Sequence, residues 1–151
     1  MTNILFSLIW LSVLWRYWYH NMHTNMWYHT IWSKPTIICN HQEWTLDLEY
    51  ASDDQTRIQG LMHRTSLWSM SGMLFVRSGD DMRSFWMKNT LIPLDMIFID
   101  SQWSIKHIHQ SAKPWDLTPI SSEAPVSYVL EVNEWRTQTH QITTGCKMKN
   151  I

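Results

Sequence analysis

The sequence predicts an α+β fold: a mainly antiparallel or mixed β-sheet curling toward a small barrel, with two short helices. Three observations lead there. Short apolar or alternating runs recur along residues 36–151, each bounded by turn residues. Only two stretches in that region carry helix signals. The chain has 151 residues, and its first 35 read unlike the rest, which leaves length for one domain.

The chain opens on Ile4–Trp15, ILFSLIWLSVLW, twelve residues without a charge. A membrane span needs about 20 apolar residues and the core of an export signal about 7–15. Residues 1–19 are therefore expected to be an export signal or, extended through Tyr17-Trp18-Tyr19, an uncleaved membrane anchor with an aromatic belt. No Lys or Arg precedes the run, Arg16 follows it, and no small-x-small cleavage site is present. Residues 20–35 read as a polar linker rich in His, Asn and Thr. Within it His20, His23, Met26 and His29 are soft ligands that suit copper outside the cytoplasm, although spacing by three does not keep them on one helix face.

Thr36–Cys39 and Thr45–Ala51 read as strands, the second with Leu46 and Leu48 alternating with Asp47 and Glu49. Ser52 can cap a helix, with Gln55 reaching back as in a capping box. Ile58, Leu61 and Met62 then form an apolar stripe. Gly60 within it implies close packing, because glycine inside a helix costs about 1 kcal/mol against alanine. Further strands are expected at Met73–Val76, Ser84–Lys88, Leu94–Asp100, Ser104–Gln110, Tyr128–Asn133 and Cys146–Ile151, with a short helix at Glu134–His140. Ser101-Gln102-Trp103 connects two of them as a hairpin.

Net charge is −1, unevenly placed. Residues 1–40 carry Arg16 and Lys34 and no acid; residues 41–151 carry ten basic and thirteen acidic residues. Such a domain offers no field for nucleic acid, and no basic–aromatic stripe stands out. Cys39 and Cys146 do not form a C-x-x-C pair, which speaks against a cysteine zinc site. In an oxidising compartment they can pair and tie the domain's entry to its last strand; two separate buried thiols are the alternative.

Arg57–Leu67, RIQGLMHRTSL, resembles the R-x-x-G-L-M-x-R-x-x-L helix of domain-of-unknown-function family 192, an uncharacterised prokaryotic family. Gly72–Val76, GMLFV, is similar to its next strand, and Phe85–Asp100, FWMKNTLIPLDMIFID, to its signature. Leu117–Pro119 and Tyr128–Asn133, YVLEVN, resemble later motifs in the right order. The resemblance implies a fold and carries no activity. The departures fall on tryptophan. At Trp103 and Trp135 the family has glycine, and Trp44 and Trp115 look like similar cases. The chain holds eleven Trp and four Gly, against a usual glycine share of about 7%. A lineage that decodes UGA as glycine, with UGA written as Trp, produces this pattern; a Trp-rich variant is the alternative.

The signature brings Lys88, Asn89, Thr90 and Asp95 close in sequence around a turn. Lys can hold an anion, Asn and Thr can orient a ligand, and Asp can accept a proton or pair with Lys. Arg57 and Arg64, seven apart, share a helix face and can clamp a carboxylate or phosphate. Glu131 lies on a strand whose other face carries Leu130 and Val132. An ordinary turn and surface ion pairs account for the same residues without a ligand. His107 and His109 share a strand face that suits two ligands of a divalent metal, with no third ligand marked; otherwise no cofactor is expected. A nucleophile elbow, phosphate loop, H-E-x-x-H and dinucleotide fingerprint are all absent.

Three functions follow. The first is a small exported or membrane-tethered binding or accessory domain, taking a small-molecule or polymer ligand at the signature. The second is a hydrolase using Asp95 or Glu131 as general base, which a strongly raised carboxylate pKa in a cleft would favour. The third is a purely structural domain, favoured if Lys88 and Asp95 face bulk solvent without a cleft.

Overall fold

A computed structural model describes residues 34–151. The expected signal or anchor, the linker up to residue 33 and the His20, His23, Met26 and His29 cluster lie outside the described residues. Among the described residues, no helix is long and apolar enough to cross a membrane.

The chain runs β1 (Thr36–Cys39), β2 (Gln42–Thr45), β3 (Asp47–Ala51), α1 (Asp54–Gln59), β4 (Ser71–Asp81), β5 (Ser84–Phe85), β6 (Leu94–Ile99), β7 (Ile105–Ala112), β8 (Ile120–Ser121), β9 (Val126–Asn133), α2 (Arg136–Thr139) and β10 (Lys147–Lys149). The α+β class holds: among the described residues strands dominate, and both helices are short. The strands form three sheets, ordered β10-β1-β2, β3-β4-β9-β6-β7 and β5-β8, none closed into a barrel. All pairings are antiparallel except β3–β4.

The five-stranded sheet organises the core. Its middle strand, β9, pairs with β4 on one side and β6 on the other. Alternation along β6 sends Leu94, Met96 and Phe98 to one apolar cluster and Ile97 and Ile99 to another. The first cluster also holds Met73, Phe75, Met87 and Val129; the second joins this sheet to β1 and β10 through Ile37, Leu130, Val132 and Met148. Burial of such side chains stabilises by about 1.5–3 kcal/mol each, which outweighs any local propensity. β9 approaches β4 closely: a Cβ at Gly72 would lie 2.7 Å from the Glu131 carbonyl oxygen.

Several local expectations shift. The Thr45–Ala51 strand breaks at Leu46, whose buried side chain joins the second cluster. The helix cap is Asp53, not Ser52; its side chain accepts from the Thr56 amide at 2.9 Å, and Thr56 completes the capping box. The helix ends at Gln59, so the expected stripe does not form. Ile58 is exposed, and Leu61 reaches the core from beyond the helix end. Gly60 is the cap there with φ +47°, and a Cβ would sit 3.2 Å from the Phe75 ring, so close packing does operate at it.

Cys39 and Cys146 form a disulfide that ties β1 to the turn before β10. Trp103, Trp115 and Trp135 have φ of 60°, 64° and 67°, the left-handed backbone glycine adopts without a steric cost. Trp44 lies instead in extended β2, with its ring 5.5 Å from that of His140.

Candidate functional site

A cleft of about 600 Å³ opens between the α1 segment, β4 and the signature. Its lining includes Arg57, Gly60, Leu61 and Met62 from the first, Phe75 and Arg77 from the second, and Phe85, Trp86, Lys88 and Thr90 from the third. Glu131 of β9 reaches it from the sheet.

Glu131 is the unusual group. It pairs across β9 with Met73 and Met96 and shares the sheet face of Val129, inside the first apolar cluster. It is 5% exposed. Its carboxyl makes no hydrogen bond or ion pair among the described residues. Burial pushes its pKa up to about 8, so the group is neutral at pH 7. A neutral carboxyl carries one O–H donor and keeps acceptor capacity.

The cations differ in their freedom. Arg57 is held in place: Nη1 donates to the carbonyls of Ser52 at 2.5 Å and Val76 at 3.1 Å, and Nη2 donates to Asp54 at 2.6 Å. Its Nε is buried without a partner. Arg83 is similarly fixed, donating to the carbonyls of Val126 at 3.3 Å and Gly79 at 3.0 Å. Arg77 and Lys88 make no ion pair among the described residues. The Lys88 ammonium lies 5.4 Å from the centre of the Trp86 ring, which is half exposed at the rim.

Of the seven residues that the sequence marks as ligand-site candidates, the cleft gathers Arg57, Lys88, Thr90 and Glu131. Thr90 is buried and donates to the Lys88 carbonyl at 3.3 Å. Asn89 turns aside; its backbone has φ 54°, and its amide nitrogen lies 3.9 Å from the Met62 sulfur. Arg64 lies beyond the helix end, so it shares no face with Arg57. Its guanidinium forms a forked pair with Glu49, which lowers the Glu49 pKa and raises that of Arg64.

Asp95 is not at the cleft. It alternates with Leu94 and Met96, so it points to the sheet face opposite Glu131, and it is fully buried. One carboxylate oxygen accepts from the Ser111 amide at 2.9 Å, the other from the Thr137 amide at 3.0 Å and hydroxyl at 2.8 Å. It thus fastens α2 and the end of β7 to the sheet.

His107 and His109 do share a face, opposite Phe98 and Met96. His107 stacks on Phe98 at 5.6 Å and faces Glu123 at 3.5 Å. No group of three His, Cys, Asp or Glu among the described residues is arranged to hold a metal ion. Sequence reading passed over Arg77, Arg83 and Trp86. Arg77 directly follows the GMLFV run and Trp86 stands in the signature, so both carried a positional signal.

Fold and site define a small α+β domain with a cationic, aromatic-rimmed cleft beside a buried carboxyl. The chain belongs to domain-of-unknown-function family 192, described as uncharacterized ACR, whose model matches residues 36–150. It is similar to a candidate transcription regulator from Sinorhizobium meliloti 1021, at 36% identity and TM-score 0.74, over 76% of this chain and 90% of that one. It is also similar to a protein of unknown function from Novosphingobium aromaticivorans, at 34% identity and TM-score 0.74, over 77% of this chain and 83% of that one. No curated protein matches it.

Proposed function

We propose that the protein is an exported or membrane-tethered binding domain whose small-molecule or polymer ligand occupies the cleft at Arg57, Lys88, Thr90 and Glu131. The observation that carries this reading is Glu131. A carboxyl on the central strand, 5% exposed and without a partner among the described residues yet lining a cleft, costs stability that a purely structural domain has no reason to retain. A ligand that hydrogen-bonds it offsets that cost. The disulfide supports residence in an oxidising compartment, since such bonds are rare in reducing cytosol.

A hydrolase is the second reading, and the raised pKa of Glu131 favours it as an acid–base group. Asp95 takes no part, because it faces the other side of the sheet. The binding reading stands ahead of it because, among the described residues, the cleft pairs Glu131 with no second free carboxylate and no His or Cys: Asp54, its other acid, is tied to Arg57 at the rim. The Sinorhizobium meliloti relative is described as a candidate transcription regulator, whereas this domain is acidic and its described helices have six and four residues, too short to fill a major groove.

Thermal-shift screening of the protein against sugars, nucleotides and small carboxylates tests the proposal. A ligand at a hundred times its Kd adds about 2.7 kcal/mol. The binding reading expects the shift to survive in Glu131→Gln, whose amide still donates, and to vanish in Glu131→Ala. Substrate turnover lost in Glu131→Gln with binding intact would favour the hydrolase. A shift untouched by either substitution and by Lys88→Ala would remove the cleft as the site.

A further inference from the structure

Resting on the cleft as the ligand site, we infer that its ligand bears an anionic group on a hydroxylated ring, as in a sugar acid or a sugar phosphate. The charge balance points there first. Among the described residues the cleft lining carries Arg57, Arg77, Arg83 and Lys88 against Asp54 and the buried Glu131, with Asp81 3.8 Å from Arg83, although the whole chain has net charge −1. The positive excess is therefore local, and a concave, partly desolvated wall concentrates its field.

Two of the cations are paired internally, Arg57 with Asp54 and Arg83 with Asp81, and two, Arg77 and Lys88, are left for capture. Backbone carbonyls hold the Arg57 and Arg83 guanidinium groups rigidly, so their charges stand in place before any ligand arrives. Arg77 and Lys88 have no acidic partner among the described residues and can close on an anion.

Glu131 fits the same ligand. An ionised carboxylate at that wall would repel an anion, whereas a neutral one donates an O–H to it or exchanges hydrogen bonds with a neighbouring hydroxyl. The cations elsewhere in the cleft lining oppose the other occupant a lone carboxyl suggests, a metal ion. The ring is called for by Trp86, half exposed at the rim beside Phe85 with the Lys88 ammonium 5.4 Å from its ring centre. The cleft's volume lies in the range of small-molecule sites, about 300–1,000 Å³.

Isothermal titration of the full chain with glucuronate, glucose 6-phosphate, glucose and inorganic phosphate tests this inference. One or both charged sugars should bind, with glucose and inorganic phosphate each weaker by about tenfold or more. Arg77→Ala and Lys88→Ala should weaken the charged sugar by about tenfold each and leave glucose unchanged, and Lys88→Arg should recover part of the loss. Trp86→Ala should weaken both sugars. The preference between glucuronate and glucose 6-phosphate separates carboxylate from phosphate as the source of the charge. Glucose binding as tightly as the charged sugars, with loss in Glu131→Ala, would overturn the ligand class and leave the cleft standing. Charged-sugar binding indifferent to Arg77, Lys88, Trp86 and Glu131 would overturn the cleft itself. No binding of either charged sugar at millimolar concentration, by variants and parent that melt alike, would overturn the inference.

Discussion

Replacing Glu131 by Gln should change how stability responds to pH. In the unfolded chain this carboxyl titrates near 4.5, and in the fold burial raises it to about 8. Below the lower value both states are neutral and the fold bears no penalty. Between the two values the unfolded chain releases a proton that the folded chain retains, so stability falls as pH rises, by about 1.4 kcal/mol per pH unit. At pH 7 the accumulated loss is about 3 kcal/mol, and the fall ends once pH passes the folded value. Glutamine keeps the shape and does not titrate. The Gln variant should therefore match the parent near pH 4 and exceed it by about 3 kcal/mol at pH 7, a rise in midpoint on the order of 10 °C for a domain of this size. Urea unfolding of both proteins from pH 4 to 9 measures the difference, and other titrating groups cancel in it. Parallel curves across that range would refute the reasoning, since they would mean that Glu131 titrates alike in both states.

Other substitutions test other parts of the structure. Trp115→Gly and Trp135→Gly should each stabilise by about 0.5–1 kcal/mol, because relief of a left-handed backbone exceeds the added chain entropy. Trp103→Gly should not stabilise, since it also removes a ring stacked on Tyr128 at 3.9 Å; thermal melts of the three variants decide this, and peptide masses of the native protein at 103, 115 and 135 identify the residue present. Asp95→Ala should destabilise by about 3–5 kcal/mol, as the buried donors of Ser111 and Thr137 lose their acceptor; ligand affinity of the protein that remains folded should not change. Serine at both Cys39 and Cys146 should cost about 2–5 kcal/mol in denaturant unfolding, because the bond closes residues 107 apart in sequence.

How much was legible in the sequence followed from how local each feature is. The Leu46–Leu48 alternation, the apolar run of Leu94–Ile99 and the helix start near Asp53 write themselves into neighbouring residues, so strands and helices could be read with ends off by a few positions. β5 shrank to two residues, and β8 went unseen, because strands that short exist only through their pairing with each other. The Arg57–Arg64 clamp failed for a related reason: seven residues make two turns only if the helix continues, and it stops at Gly60.

The sequence by itself determined the α+β class, the family signature, and the turn positions where tryptophan stands against the backbone's preference. It also marked Lys88, Thr90, Arg57 and Glu131, since a charged or polar residue inside an apolar motif is visible without coordinates. Only the tertiary structure decided which of the marked residues meet. Asp95 is four residues nearer to Lys88 along the chain than the end of its strand, yet strand alternation turns it to the far face, while Glu131 arrives from β9 through its register with β4 and β6. The raised pKa of Glu131 was likewise out of reach of sequence. Desolvation depends on everything packed over a group, and the packing over Glu131 comes from segments scattered across the domain.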